Sequence, residues 1–216
     1  MRLAVFDLDG TITRRDTLAP YALGFLLRRR LWRLPALVFV APVVIGYALG
    51  LIDRGGLKSA FIRAALGGCR REALECWTGR FIDHLTANGV FPQAIETIRE
   101  HARARDHLVL LSASTDLYVP MIGHRLGFQE VICTGVRWAG ERLVGTLTTP
   151  NRRGEEKARC VAQLRARYPG IEMVAYGNAA SDLEHLKLVE RGILVNGSAR
   201  ARSQAARAGI TCTEWR

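Results

Sequence analysis

Two carboxylates spaced two residues apart end the first apolar run of the chain, where Leu3-Ala4-Val5-Phe6 leads into Asp7-Leu8-Asp9-Gly10-Thr11. A strand alternates its side chains, so Asp7 and Asp9 would face the same way and crowd two negative charges into one small volume. Such crowding needs a metal, a proton or a bound cation to offset it. A structural explanation stands beside this one, since Asp-Gly is a common turn signal and one Asp could merely end the strand. Further polar groups follow apolar runs later on: 112–115 (Ser-Ala-Ser-Thr), Lys157 just after Gly154, and Asn178 with Asp182 in Gly-Asn-Ala-Ala-Ser-Asp. Each has a bland reading too. Ser112, Ser114 and Asp182 could cap helices, and Lys157, between Glu156 and Arg159, could be a solvated surface residue.

Periodicity gives the elements that must position these groups. Runs 3–6, 107–111, 130–133, 172–176 and 192–195 are short and apolar, as buried strands are. Helical patterns cover 18–31, 58–66, 72–85, 93–105, 117–126, 155–167, 183–188 and 199–208, and 135–149 reads as a small hairpin. From Pro92 onward strands and helices alternate, which predicts an α/β fold with a mostly parallel sheet and ligand groups at the C-terminal ends of its strands. There the polar loops would converge on one crevice. Residues 15–88 read as an all-helical insert, leaving 1–14 and 89–216 as the core.

Composition narrows the function classes. At 216 residues, 49% of them hydrophobic, the chain can bury a substantial core. A net charge of +11, from 31 Lys plus Arg against 20 Asp plus Glu, implies an anionic partner. The arginines are not interleaved with stacking aromatics, and no finger, GXXG loop or basic zipper occurs, so no nucleic acid is expected. The cysteines at 69, 76, 133, 160 and 212 are odd in number and lack metal-ligand spacing, as do the histidines at 84, 101, 107, 124 and 185. Both sets read as packing or surface residues of a protein in a reducing, cytoplasmic compartment. No basic-then-apolar leader precedes the first strand, so no secretion signal is expected.

Asp7-Leu8-Asp9-Gly10-Thr11, Ser112, Arg153-Gly154-x-x-Lys157 and Gly177-Asn178-x-x-x-Asp182, in that order, resemble the motifs of the haloacid dehalogenase-like (HAD) phosphohydrolases. A helical insert directly after the first motif is similar to the subgroup that includes phosphoserine phosphatase. The resemblance implies a Rossmann-like HAD core with an inserted helical cap, and a Mg2+-dependent phosphatase acting on a phosphorylated substrate. Asp7 would attack phosphorus and become an aspartyl-phosphate, while Asp9 would protonate the leaving oxygen and then activate water. The negative field the two share would raise the proton affinity of one of them. Ser112 would donate to a phosphoryl oxygen, and Lys157 would damp the repulsion between anion and nucleophile. Mg2+ would sit between Asp7, the carbonyl of Asp9, Asn178 and Asp182, and Gly10 would allow a tight turn beside the phosphate. Asn178 departs from the family pattern, which has an aspartate there, so weaker Mg2+ binding is expected. Asp16 matches the position that holds the substrate amine in phosphoserine phosphatases, although a helix cap accounts for it equally. Arg63 is the loose match for the arginine that holds the substrate carboxylate.

The insert contains the compositional oddity of the chain. Leu34 to Ile52 is nineteen residues without a charge, preceded by Arg28, Arg29, Arg30 and Arg33. One membrane crossing here would part Asp7 from Ser112, Lys157 and Asp182, and nineteen residues interrupted at Pro42 are too few for two spans. A buried cap core, a shallow re-entrant hairpin and a helix pair lying on a surface remain. This layout resembles the type C phosphatidylglycerophosphatases, implying phosphatidylglycerophosphate or another anionic phospholipid precursor as substrate and 28–52 lying peripherally on the inner face of an anionic membrane. A soluble phosphoserine-like metabolite, or anion binding without catalysis, is the alternative.

Overall fold

Strand β1 (Leu3–Phe6) is buried along its whole length, which is why its sequence shows no apolar-polar alternation. In the computed structural model, which describes residues 1–216, it lies between β2 (His107–Thr115) and β6 (Met173–Gly177), parallel to both. Strands β3 (Glu130–Thr134), β7 (Arg191–Val195) and β8 (Thr211–Thr213) complete a six-stranded sheet in the order β3-β2-β1-β6-β7-β8, every neighbour parallel. Successive side chains feed opposite faces. Leu3, Val5, Val109 and Met173 pack with Cys160 and Leu164 of α7 (Glu155–Arg167). Ala4, Phe6, Leu110 and Tyr176 join Ile98 of α5 (Pro92–Arg103) and Ile122 of α6 (Val119–Leu126). The fold is therefore α/β, with helices on both faces of a parallel sheet, as the alternation of elements requires.

Strand β2 departs from the sequence expectation, because it continues through 112–115 with a register shift between Leu111 and Thr115. Strand β8, a three-residue edge, has no counterpart in that reading. The hairpin does form, from antiparallel β4 (Val136–Ala139) and β5 (Arg142–Leu147).

Between β1 and α5 stand α1 (Leu18–Arg29), a 3-10 segment (Leu31–Val40), α2 (Ala41–Ala48), α3 (Arg54–Leu66) and α4 (Arg71–Asn88). Their apolar faces are continuous with the α5 and α6 side of the sheet. Tyr21 lies 4.6 Å from Tyr118 between ring centroids, and Tyr21, Phe25, Ile62 and Trp77 share one cluster with Phe6. The segment Leu31–Ala48 behaves differently, since only 6% of it is buried. Pro35 falls inside the 3-10 turns, and Pro42 occupies the first turn of α2, where a missing N–H costs nothing. The interior of the insert does not take this segment up, which removes the buried-core packing that the sequence left open.

Candidate active site

Asp7 follows β1 directly, and its N–H donates to the Tyr176 carbonyl of β6 at 3.0 Å, fixing the carboxylate at the C-terminal edge of the sheet. Lys157, in the first turn of α7, is 2% exposed and lies between two acids, with Nζ 2.6 Å from Asp7 Oδ1 and 2.8 Å from Asp182 Oδ1. The solvated-lysine reading therefore fails. Asp182 does not cap the helix that follows it; its Oδ2 accepts from the N–H groups of Asn178 and Ala179 in the preceding loop at 3.1 and 2.9 Å, and its other oxygen is left for Lys157. Thr11 Oγ donates to Asp7 Oδ2 at 3.3 Å. Burial pushes the Asp7 carboxyl up to about 7 against the pull of Lys157, with a further push from Asp182. Burial also pushes Asp182 up, but Lys157, His185 and the loop N–H bonds override it and hold that carboxyl at about 2. Burial disfavours the Lys157 ammonium, yet the two carboxylates outweigh it and keep it charged.

Asp9 shares this cavity but not these partners. Its Oδ1 accepts from Thr17 N–H at 2.8 Å and Thr17 Oγ at 2.7 Å, and its Oδ2 accepts from Ser114 Oγ at 2.5 Å. Burial raises its pKa first and the Asp16 charge second. Repulsion between Asp7 and Asp9, the source suggested by their spacing, ranks behind burial, Lys157 and Asp182 in its effect on Asp7. The two acids are thus tuned separately, one by a lysine and one by hydroxyls.

Both line a cavity of about 550 Å³. Its lining joins a buried group, Asp7, Lys157 and Asp182 with Asp9 and Asn178 beside them, here the floor, to the polar Asp16, Arg54, Lys58, Asn151 and Arg153 and the apolar Val40, Val44, Tyr47, Leu57 and Phe61, of which Val44 is 47% exposed. Asp16 lines the wall while its Oδ1 also accepts from Leu18 N–H at 3.0 Å, so the functional and the capping readings coexist. Ser112 is fully buried behind the wall, its hydroxyl accepting from Ser114 N–H at 3.0 Å, and Ser114 lines the cavity instead. Arg63 is exposed and off the wall. Its place among the basic residues is taken by Arg54 and Lys58, one turn apart on α3, and by Arg153. The Lys58 ammonium donates to the Ala113 carbonyl at 2.6 Å and Asn151 Oδ1 at 2.5 Å, and burial brings it down to about 8. A helix started at Lys58, as the periodicity suggested, hid the i, i+4 pairing with Arg54 that signals a shared face. His185 is also inside, 1% exposed with its Nδ1 unpartnered, and burial keeps it neutral at about 3.

Gly10 lies outside the wall and sets its shape. Its φ is +80°, and a Cβ there would come within 2.0 Å of Asn178 Nδ2. We expect Gly10→Ala to lose about 1–3 kcal/mol of stability from the backbone alone, and more from displacing Asn178. Urea melts of Gly10→Ala, Asn178→Ala and the double variant check this. Strictly additive losses would show that the two residues are uncoupled.

No three His, Cys, Asp or Glu side chains group so as to hold a metal. The floor offers side-chain oxygens of mixed type, the Asp7 carboxylate and the Asn178 carboxamide, whose residue is hydrogen-bonded only through its main chain, and the Asp9 main-chain carbonyl would add a third. Such a set suits a hard divalent cation that keeps several waters, as Mg2+ does. Asp182, whose Oδ1 also faces Lys157, would join that set directly or through water.

A sequence model of the haloacid dehalogenase-like hydrolase family matches residues 4–187. Among curated proteins, Protein CicA of Caulobacter vibrioides is 29% identical over 191 residues, spanning 87% of this chain and 83% of that protein. Phosphoserine phosphatase SerB1 of Mycobacterium tuberculosis is 25% identical over 227 residues, spanning 99% and 70%. Among solved structures, a Bordetella pertussis Tohama I protein of unknown function superposes with a TM-score of 0.82 at 24% identity, covering 98% of this chain and 97% of that one. A substrate-bound phosphoserine phosphatase superposes with a TM-score of 0.69 at 17% identity, covering 98% and 91%. At these identities the structural likenesses speak for the fold.

Proposed function

The chain belongs to the haloacid dehalogenase-like hydrolases, and on that footing we propose that it is a phosphatase, a Mg2+-dependent phosphomonoester hydrolase that works through an aspartyl-phosphate on Asp7. The supporting observation is the floor itself, where one buried ammonium bridges Asp7 and Asp182 while Asp9 is held apart by hydroxyls. In the first step an Asp7 carboxylate oxygen bonds to phosphorus as the ester oxygen leaves with a proton from Asp9, whose burial favours the protonated form. In the second, water attacks the acyl phosphate, Asp9 takes the proton back and phosphate departs, freeing Asp7. Lys157 keeps Asp7 oriented and offsets the negative charge of an arriving phosphoryl group. Asp7, the Asp9 carbonyl and Asn178 would hold Mg2+, whose bound form supplies charge neutralisation at the phosphoryl oxygens. Ser112, off the cavity lining, supports the reading by accepting from Ser114 N–H and so orienting the strand end that carries Ser114, and residues 15–88 serve as the cap domain over the 1–14 and 89–216 core.

The mixed lining of the cavity, buried acids and a lysine together with apolar side chains, favours an amphiphilic phosphomonoester. Phosphatidylglycerophosphate or another anionic phospholipid precursor fits this lining, with the enzyme peripheral on the cytoplasmic face of the membrane through 28–52. Asp16 on the wall favours a second reading, a soluble ester carrying an amine, such as phosphoserine. Phosphate release from phosphatidylglycerophosphate in detergent, from phosphoserine and from p-nitrophenyl phosphate decides between them. Faster turnover of phosphoserine than of the lipid would overturn the amphiphile reading, and no release from any of the three would leave an anion-binding protein.

Asn178 brings an amide oxygen and no charge to the ion. Asn178→Asp should lower the half-saturating Mg2+ concentration roughly tenfold, a change worth about 1.4 kcal/mol. Titrating turnover with Mg2+ for both chains checks it, and equal half-saturation would show that Asn178 is not a ligand.

A further inference from the structure

We propose that 31–52 is a docking surface for an anionic membrane and that docking reshapes the cavity, because a single layer of residues faces both. The proposal deepens the phosphatase reading and rests on it for the meaning of the cavity. On the outside, Trp32, Val38, Phe39, Ile45, Leu49 and Leu51 are each between 60% and 80% exposed. So many large apolar side chains in one continuous stretch mark an interaction surface, not scattered exposure. On the inside, Val40, Val44 and Tyr47 of the same stretch line the cavity. The segment packs chiefly on α1 and α3 and has no second layer behind it.

Charge decides the occupant. From Thr17 to Ile52 the chain has no acidic residue and carries Arg28, Arg29, Arg30 and Arg33. Arg28 and Arg29 are exposed. The guanidinium groups of Arg30 and Arg33 stand 5.8 and 5.7 Å from the Trp32 ring, and both donate to the Gly67 carbonyl, which pins this end of the arm to the insert. A tryptophan flanked by arginines beside an apolar face matches the headgroup boundary of an anionic bilayer, which takes apolar side chains and cations at adjacent depths. A second copy of the chain presenting the same stretch would cover the apolar row but bring no acidic residue to the arginines, since 17–52 has none. An acidic protein would answer the arginines but leave the apolar row unmatched.

The test uses the full chain and two vesicle types, phosphatidylcholine alone and phosphatidylcholine with roughly a third phosphatidylglycerol, neither lipid being a phosphomonoester. The chain is expected to float with the anionic vesicles at low salt and to stay behind at high salt. Phe39→Ser with Leu51→Ser, and separately Arg28→Glu with Arg29→Glu, should each cut flotation tenfold or more while turnover of p-nitrophenyl phosphate in solution stays unchanged. Docking should also change amide hydrogen exchange across 40–47 several-fold and shift p-nitrophenyl phosphate turnover several-fold. Absence of flotation at low salt, or flotation indifferent to both variants, overturns the surface. A lipid-free dimer that Phe39→Ser disperses would assign the face to a second copy and overturn it equally. Flotation with unchanged exchange at 40–47 overturns the coupling. A chain that turns over no phosphomonoester sinks the phosphatase reading, while flotation and exchange still decide this one.

Discussion

Asp7→Asn will lose turnover of p-nitrophenyl phosphate by on the order of 10⁴-fold or more, because the substitution removes the atom that bonds to phosphorus and leaves only positioning groups. It will do so without unfolding the chain. Asp7 sits with its pKa pushed up to about 7, burial outweighing the attraction of Lys157, so at pH 8 the native carboxylate is held in its disfavoured form. The amide has the same shape, can turn its oxygen to Lys157 and can offer its NH2 to Thr11 Oγ, which now donates to this residue. Metal-free Asp7→Asn should therefore melt at or above the native temperature at pH 8. Asp9→Asn is the useful contrast, expected to lose about 10²–10⁴-fold as an acid and base would. Acid quench during turnover followed by borohydride reduction, which converts an acyl phosphate to the alcohol, should mark position 7 by mass in the native chain and nowhere in Asp7→Asn. Label at another residue, or retained turnover in Asp7→Asn, refutes the mechanism.

The parts of this site that the sequence showed are those set by strand ends. Asp7 lies at the end of an apolar run that could only be a buried strand, and Lys157 follows a helix start that charge and spacing marked at Glu155. In a parallel sheet such ends meet, which is how residues 150 positions apart come within 2.6 Å. What stayed hidden depended on register and on neighbours. Ser114 replaces Ser112 on the cavity wall because β2 shifts register after Leu111, and an irregular strand end leaves no trace in alternation. Thr17, whose hydroxyl and N–H hold Asp9, looked only like the first residue of a helix. Hydropathy found the stretch after Arg33 but could not say which side of it faced protein, since core and lipid select the same residues. Three residues suffice for β8 only because β7 is already in place to pair with them, which no local pattern records.

Lys157→Met should be the most destabilising single change in the site. The lysine is 2% exposed and bonds two carboxylates that are themselves buried, so methionine fills its volume and leaves two acids uncompensated. Breaking a buried ion pair from one side costs about 3–5 kcal/mol, far more than exposed pairs on the same helix such as that of Arg159 with Glu155. The loss will depend on pH with a definite sign. In the native chain the lysine, with the loop N–H groups, overcomes burial to hold Asp182 at about 2, so its contribution is present above the ordinary carboxylate range and is lost as pH falls toward 2. Without the lysine both acids rise in the folded state, whose stability then falls as pH increases through their new values. The gap between native and variant should thus open as pH rises from about 2, stand near pH 4.5 on Asp182 alone and be largest near pH 8, where Asp7 adds to it, and urea midpoints at both pH values measure it. Adding Asp7→Asn to Lys157→Met removes one of the stranded charges and should recover part of the loss at pH 8 but little at pH 4.5. A deficit that is equal at the two pH values, or unmoved by the second substitution, would mean that Lys157 matters for packing and not for charge, and the electrostatic account of the floor would fall with it.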